Sequence, residues 1–276
     1  MLEKYDMTEL LEIEAVADEV IASLRTSSQI PTFSSRGGLD VAQAYRVTPL
    51  LRADFEARGE RITGRKIGFT NRQMWSASGS VSPMWGYATS RSTRDLADTH
   101  VIGLDEFSEP RIEPEIMFGL AAAPSPSMDD HDLIDCLEWM ALGYEIVQSI
   151  FPNWSFSAAD IVAANGAHGA LLVGTRHPVA PRRDEWPREL STFKADLYCD
   201  GKLVQRGGGS FVLDSPLNAL RHLAGLLAND PDNPPLAPGE IISTGTLTPA
   251  MPVKPGERWT TTVVGIPLEE ATLRFG

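Results

Sequence analysis

The sequence predicts an α+β fold, in which a helical N-terminal portion precedes a mixed β-sheet or rolled barrel. Two observations predict it. Up to Ile62, apolar residues recur with the spacing of amphipathic helices. After Ile62 the pattern changes to short apolar segments typical of strands, and helices interrupt them at irregular intervals. A Rossmann sheet or a TIM barrel requires regular alternation of strands and helices, so the α+β class fits better.

The N-terminal portion contains two predicted helices. Residues 7–27 and 40–58 both repeat apolar positions at i, i+3 and i+4. Pro49 should bend the second helix or begin a new segment, because proline cannot donate a helical hydrogen bond. The chain is therefore expected to divide into a helical arm or cap at 1–62 and a larger domain at 63–276.

Most of the remaining chain is predicted as strands. They are expected at 65–69, 115–120, 144–150, 169–173, 193–199, 202–205, 240–243, 259–264 and 271–275. Asp200 and Gly201 are typical of a two-residue hairpin turn between two of these strands. Helices are expected at 130–142 and at 215–228, where Ser215 suits the capping position.

Composition excludes several classes of protein. A net charge of -13 over 276 residues argues against nucleic-acid binding, because the phosphates would be repelled. Two cysteines make neither a disulfide framework nor a zinc cluster, and the five histidines lack zinc-protease spacing. No signal-peptide pattern or membrane-length apolar run is present in the sequence, which predicts a cytoplasmic protein without membrane contact.

Three acidic residues and one lysine are the strongest functional signal. Glu113 and Glu115 stand two apart beside an apolar segment, so their side chains should project to one face of a strand. Glu145 and Lys66 also lie in segments that read as buried strands. Buried carboxylates require a compensating charge, and a divalent cation with oxygen ligands is the natural one. A metal-dependent enzyme is therefore the leading hypothesis.

Each of these residues also has an ordinary structural interpretation. Glu113 and Glu115 fit a solvated strand edge broken by Pro114. A lone acid such as Glu145 is commonly exposed at a helix-to-strand junction, and a lysine such as Lys66 can extend its amine to solvent. Residue chemistry alone leaves these alternatives open.

Taken together, the segments around these residues resemble one family. They are similar to the 2-keto-4-pentenoate hydratase and 4-oxalocrotonate decarboxylase group of the fumarylacetoacetate hydrolase superfamily. The order and spacing of separate segments carry the resemblance, which runs from Gly64 to the end of the chain. The segments are Gly64-Arg-Lys-Ile-Gly68, Ile112-Glu-Pro-Glu115, Glu145-Ile-Val147, Gly239-Glu-Ile-Ile-Ser-Thr-Gly-Thr246 and Pro252-Val-Lys-Pro-Gly-Glu257.

The resemblance implies a fold, a cofactor and a set of site residues. The fold is a fumarylacetoacetate-hydrolase-like mixed β-roll, with residues 63–276 as its catalytic domain. The implied cofactor is Mg²⁺ or Mn²⁺, the implied substrate is a small anionic 2-oxo acid, and the implied assembly is a homo-oligomer. The implied metal ligands are Glu113, Glu115 and Glu145. The implied catalytic residue is Lys66, and the predicted substrate-binding residues are Thr244, Gly245, Thr246, Gln148, His168 and Arg72.

The resemblance implies a lyase that works through a metal-bound enolate or dienolate, with hydration of a 2-hydroxydienoate as the first choice. Gln148 stands where many hydratases have an aspartate, and the segment from Met84 to Tyr87 is closer to the decarboxylases. The alternatives are a 4-oxalocrotonate-type decarboxylase, a C–C hydrolase of a diketo acid with His168 or an acid outside the ligand set as its base, and a non-catalytic metal-stabilised binding protein. In the decarboxylase, Arg72, Arg91 or Arg94 would bind the second carboxylate.

Overall fold

A computed structural model describes residues 7–71, 82–99 and 101–276 of the chain. Within these ranges the α-helices are α1 Met7–Thr26, α2 Val41–Tyr45, α3 Thr48–Ala57, α4 Asp130–Asp135, α5 Ala158–Ala163, α6 Trp186–Thr192 and α7 Pro216–Ala228. The strands of the first half are β1 Ile62–Gly68, β2 Met84–Thr89, β3 Thr93–Asp95, β4 Val101–Ile102, β5 Arg111–Leu120 and β6 Leu137–Val147. The later strands are β7 His168–Val173, β8 His177–Pro178, β9 Lys194–Cys199, β10 Lys202–Gly208, β11 Ile241–Thr246, β12 Met251–Pro252, β13 Arg258–Val264 and β14 Ala271–Phe275.

The strands form two mixed sheets. The larger, nine-stranded sheet has the order β2-β1-β11-β5-β6-β7-β3, with β12 paired to β5 and β8 paired to β6. The smaller, five-stranded sheet has the order β10-β9-β13-β14-β4. Pairs such as β1–β11 and β3–β7 are parallel, whereas β5–β6 and β5–β11 are antiparallel. The predicted α+β class is confirmed.

The second predicted helix is divided in two. Asp40 caps α2 by accepting the Gln43 backbone N–H, while the Gln43 side chain accepts the Asp40 N–H. Pro49 then lies in the first turn of α3, where its missing N–H removes no helical bond. Proline therefore begins a new helix, as one of the two expected outcomes. The helices α1 to α3 precede Ile62, where β1 begins. The division of the chain into an arm or cap at 1–62 and a domain at 63–276 stays a prediction.

The prediction of a helix at 130–142 is wrong in its second half. The helix α4 ends at Asp135, and β6 begins at Leu137 and continues to Val147. Nearly every residue of β6 is buried, so both faces of this strand are covered, and β5 and β7 pair with its two edges. A strand buried on both faces has no alternating pattern, so it cannot be told from a buried helix by periodicity.

Local turn and cap predictions agree with the structure. Asp200 and Gly201 both have positive φ angles and join β9 to β10 as an antiparallel hairpin. The Ser215 hydroxyl accepts the Leu217 backbone N–H at the start of α7, which Pro216 opens. None of the described helices combines the length and the apolar character that crossing a membrane would require.

Candidate metal centre and active site

Adjacent strands of the larger sheet bring the three predicted acids onto one face. Glu113 of β5 is directly opposite Glu145 of β6, and Glu115 follows two residues later on the same side of β5. One carboxylate oxygen from each residue lies within 4.8 Å of the others. Three carboxylates at this spacing offer the oxygen ligands that a hard divalent cation prefers.

Glu115 and Glu145 are completely buried, and each has one oxygen held by the protein. The Glu115 Oε2 atom accepts hydrogen bonds from the Ser243 hydroxyl and from the Gly245 N–H, the latter at 2.8 Å. The Glu145 Oε1 atom lies 2.8 Å from Nδ1 of His168. The second oxygens, Glu115 Oε1 and Glu145 Oε2, are buried without a hydrogen-bond partner among the described residues. Among the described residues, Glu115 Oε1 has no donor and Glu145 Oε2 has only the Lys66 ammonium at 3.3 Å, and such buried carboxylate oxygens fit a bound cation.

Lys66 of β1 lies on the same face, two strands from Glu113 and Glu115 and three strands from Glu145. It is opposite Ser243 of β11, which in turn is opposite Met117 of β5. Its side chain is buried, and Nζ lies 3.3 Å from Glu145 Oε2 and donates to the Gly166 carbonyl oxygen at 2.9 Å. Burial lowers the pKa of Lys66, but the charges of Glu145, Glu113 and Glu115 more than offset it, so that the pKa is raised overall. The amine therefore carries its proton at neutral pH.

The turn that accepts the Lys66 hydrogen bond depends on a glycine in β2. Gly86 is opposite Lys66 in the β1–β2 pair. A Cβ atom at Gly86 would lie 2.2 Å from the carbonyl oxygen of Asn165, in the turn Asn165–Ala167. The absence of a side chain at Gly86 lets this turn, which carries the Gly166 acceptor, pack against the strand. Part of the Met84–Tyr87 segment therefore shapes the lysine environment.

Without a bound cation, burial and mutual repulsion destabilise the ionised forms of the carboxylates. Burial raises the pKa of Glu113 to about 7, with Lys66 opposing the rise and Glu145 adding to it. Burial raises the pKa of Glu115 well above its ordinary value, and the neighbouring carboxylates add to this effect. One lysine therefore does not compensate three acids, and a divalent cation would supply the missing positive charge.

A bulge in β11 positions the backbone donor to Glu115. Ser243 pairs with Met117 and Thr246 pairs with Glu115, so three steps along β11 match two steps along β5. Gly245 lies in this bulge with a φ of +107°, a conformation that favours glycine. The bulge directs the Gly245 N–H toward Glu115 rather than into the ladder between the strands.

A pocket of about 500 Å³ opens beside Lys66 and Glu113. Its polar lining includes Thr246, from the predicted substrate-binding segment, and Arg111. The Arg111 guanidinium lies 4.2 Å from the ring centroid of Trp154, which holds this cation at the pocket wall. The pocket is large enough for a small organic acid.

The other predicted site residues occupy different places. Thr244 and Gly245 are beside β5, where the Thr244 hydroxyl donates to the Ile116 carbonyl oxygen. Gln148 and His168 line a separate pocket of about 600 Å³, together with the arginines Arg91 and Arg94. The His168 ring contacts Glu145 through Nδ1, and its Nε2 atom lies 2.8 Å from the Ser92 hydroxyl. The predicted roles of these residues remain untested, and Arg72 lies outside the described residues.

Sequence analysis missed three residues of the site. Arg111 lies two residues before Glu113, and the same alternation that pairs Glu113 with Glu115 extends to it. Ser243 lies next to the predicted segment that begins at Thr244. Thr70 lines the pocket from the segment after β1, and its sequence carries no distinguishing signal.

Two curated proteins are similar to most of the chain. One is a 4-oxalocrotonate decarboxylase of Pseudomonas sp., 27% identical over 89% of this chain and 92% of its own length. The other is 2-keto-4-pentenoate hydratase 1 of Dechloromonas aromatica (strain RCB), 29% identical over 93% of this chain and 95% of its own length. No family model matches the chain.

A solved structure extends the similarity to the fold. The 4-oxalocrotonate decarboxylase from Pseudomonas putida G7, in a complex with magnesium and adipate, superposes with a TM-score of 0.86. It is 26% identical, and the match covers 96% of this chain and 98% of the other. The chain is thus similar over most of its length, in sequence and in fold, to 2-keto-4-pentenoate hydratases and 4-oxalocrotonate decarboxylases.

Several solved proteins of the fumarylacetoacetate hydrolase family share the fold of this chain at TM-scores between 0.55 and 0.58. Their identities of 13% to 16% extend this likeness to the fold alone. The predicted fumarylacetoacetate-hydrolase-like fold is confirmed, and so is the prediction of an enzyme of the lyase class. The prediction of a metal cofactor is confirmed to this extent: solved relatives hold magnesium or calcium, and the chain has a carboxylate cluster able to hold one ion.

Proposed function

We propose that this protein is a divalent-metal-dependent lyase that decarboxylates a small 2-oxo-enedioate. The observation that carries the proposal is the cluster of Glu113, Glu115 and Glu145 beside the buried, protonated amine of Lys66. In this proposal the three glutamates hold Mg²⁺ or Mn²⁺. When bound, such an ion supplies Lewis-acid stabilisation to the oxyanion of an enolate.

The residues of the chain divide the remaining work. Lys66 attracts the anionic substrate and carries the proton that a dienolate must receive after CO₂ has left. When CO₂ leaves, the bond to the distal carboxylate carbon breaks, and its electron pair is delocalised toward the 2-oxo oxygen. Thr246 lines the pocket beside Lys66 and shapes its wall, while its hydroxyl donates to the Thr248 carbonyl oxygen at 2.6 Å.

The pocket wall favours decarboxylation over hydration. Hydration requires a group that activates water, and Glu113 is the only carboxylate in the described part of the lining. Decarboxylation requires no such base, but it does require recognition of a second carboxylate. Arg111 provides a positive charge for that purpose, and the adipate bound by the decarboxylase of Pseudomonas putida G7 is itself a dicarboxylate.

Hydration of a 2-hydroxydienoate is the second candidate. It was the first choice from sequence, and curated relatives at 28% to 29% identity are 2-keto-4-pentenoate hydratases. Both reactions use the same dienolate, so they differ in what happens at the far end of the substrate.

We also propose that the protein forms homo-oligomers, as the family resemblance implies.

Two substrates separate these functions. The protein with Mg²⁺ is incubated with 2-oxohex-3-enedioate while CO₂ release is measured, and separately with 2-hydroxypenta-2,4-dienoate while diene absorbance is followed. We expect CO₂ release from the first and no loss of absorbance from the second. Loss of diene absorbance without CO₂ release would instead support the hydratase. Turnover that persists at full rate after chelation would contradict a metal-dependent lyase.

The carboxylate pKa values predict how metal binding depends on pH. The pKa of Glu113 is about 7, above the ordinary value of 4.5, so its contribution to the stability of the metal-free protein is present below pH 4.5 and is lost as the pH rises through 7. A cation binds the ionised form and must displace a proton at lower pH. We therefore expect Mg²⁺ to raise the Tm by a larger increment at pH 8 than at pH 6, as measured by scanning calorimetry. Equal increments at the two pH values would contradict this assignment.

A further inference from the structure

The hydroxyl of Thr70 is buried beside the candidate active site and has no hydrogen-bond partner in the described part of the chain. Thr70 is 1% exposed, and its Oγ1 atom contacts no donor or acceptor among the described residues. The residue lines the same pocket as Lys66, Glu113 and Thr246. Buried hydroxyls are nearly always paired, so a partner is expected to come from the pocket.

The backbone holds Thr70 in this place by an unusual conformation. Phe69, which follows the end of β1, has a φ of +56°, and a left-handed conformation is uncommon for an aromatic residue. The Thr70 carbonyl oxygen accepts the Leu213 N–H at 3.1 Å, which anchors the segment after the reversal. Backbone strain of this kind concentrates at ligand-binding sites, where the surrounding structure maintains it.

Gly245 provides the space for the Thr70 hydroxyl. A Cβ atom at Gly245 would lie 2.0 Å from Thr70 Oγ1, so no larger residue fits there without moving the threonine. The same glycine donates its N–H to Glu115. The Thr70 hydroxyl is therefore next to the backbone that positions Glu115, a proposed metal ligand. Arg111 lies elsewhere, at the start of β5 and two residues before Glu113.

We propose that Thr70 is a substrate-binding residue whose hydroxyl donates a hydrogen bond to the carboxylate end of the 2-oxo acid. This inference rests on the proposed function, because it takes the substrate to bind by its 2-oxo-carboxylate end at the glutamate cluster. A carboxylate oxygen accepts hydrogen bonds only, and the Thr70 hydroxyl has a free donor. Arg111 then faces the distal end of the same substrate, so that the two residues recognise opposite ends.

The matched pair Thr70→Val and Thr70→Ser tests this role. Valine has the shape of threonine but lacks the hydroxyl, and serine keeps it. In the Mg²⁺-loaded protein, we expect T70V to weaken the binding of oxalate, a stable mimic of a 2-oxo-carboxylate, by about 10-fold or more, as measured by calorimetry. T70S should stay within about 3-fold of the wild type, because its hydroxyl still donates a hydrogen bond to a charged acceptor.

A second readout separates binding from structure. The Tm of metal-free T70V is expected to equal or exceed that of the wild type, because the substitution removes a buried, unpaired hydroxyl. Thr261→Val is the control, since Thr261 is buried in β13 of the five-stranded sheet, and its oxalate affinity should be unchanged. A lower Tm for T70V, or oxalate affinity equal to the wild type, would overturn the role of Thr70. Failure of the wild type itself to bind oxalate with Mg²⁺ would instead overturn the proposed function.

Discussion

Replacing Glu115 with glutamine is expected to lower kcat/KM by about 1,000-fold or more, because it removes the charge of a proposed metal ligand. Glu115 is completely buried and lies on the same face of β5 as Glu113. Glutamine has nearly the same shape but no negative charge. Its single oxygen can keep the Ser243 and Gly245 donors, which already share one oxygen of Glu115, so its NH₂ group replaces the oxygen that has no donor among the described residues. Steady-state kinetics over a Mg²⁺ titration would measure the loss.

Two measurements distinguish loss of the ligand from loss of the fold. The metal-free E115Q protein should unfold at the same temperature as the wild type or a higher one, because burial holds the pKa of the Glu115 carboxyl well above its ordinary value. Its Tm should then rise less on addition of Mg²⁺. Glu138→Gln is the matched control, since Glu138 is exposed on β6, the strand that carries Glu145. Full activity in E115Q would refute the metal centre.

The part of the site that follows from local sequence was predictable. Two-residue alternation places Glu113 and Glu115 on one face of any strand, and this holds in β5. The apolar surroundings of Lys66 correctly indicated a buried strand. Local sequence does not show which of these residues come together in space. The pairing of Glu113 with Glu145 joins strands that are more than 30 residues apart in the chain, and no periodicity encodes that register.

Non-local packing also explains the residues that sequence analysis missed or placed incorrectly. The strand β6 was read partly as a helix because both of its faces are covered by other elements, which removes the alternating pattern. Thr70 owes its position to the left-handed Phe69 and to the missing side chain of Gly245, which is 175 positions further along the chain. The ring of His168 contacts Glu145 through Nδ1 and Ser92 through Nε2, while its predicted role in substrate binding stays a prediction. In each case a residue from a distant segment determines what the site residue contacts.

Replacing Lys66 with methionine is expected to separate metal binding from turnover. Methionine keeps most of the apolar volume of the buried side chain but removes the ammonium group. We expect kcat to fall by about 100-fold to 10,000-fold, the range typical of losing a positioned proton donor. At a pH high enough to ionise all three carboxyls, affinity for Mg²⁺ should be equal or higher, because the positive charge 3.3 Å from Glu145 no longer repels the incoming ion.

The pH dependence of K66M metal binding provides the decisive comparison. The Lys66 charge lowers the pKa values of Glu113 and Glu115, so without it both carboxyls should hold their protons to higher pH. Mg²⁺ binding by K66M should therefore weaken at a higher pH than it does in the wild type, whereas the control Lys202→Met, at an exposed position of β10, should follow the wild-type curve. Wild-type kcat in K66M would assign the proton to another group. An unshifted pH curve would mean that the amine does not act on the carboxylates, although the two lie within ion-pair distance. Only a loss of kcat combined with a shifted curve supports a lysine that both balances the charge of the acids and delivers the proton.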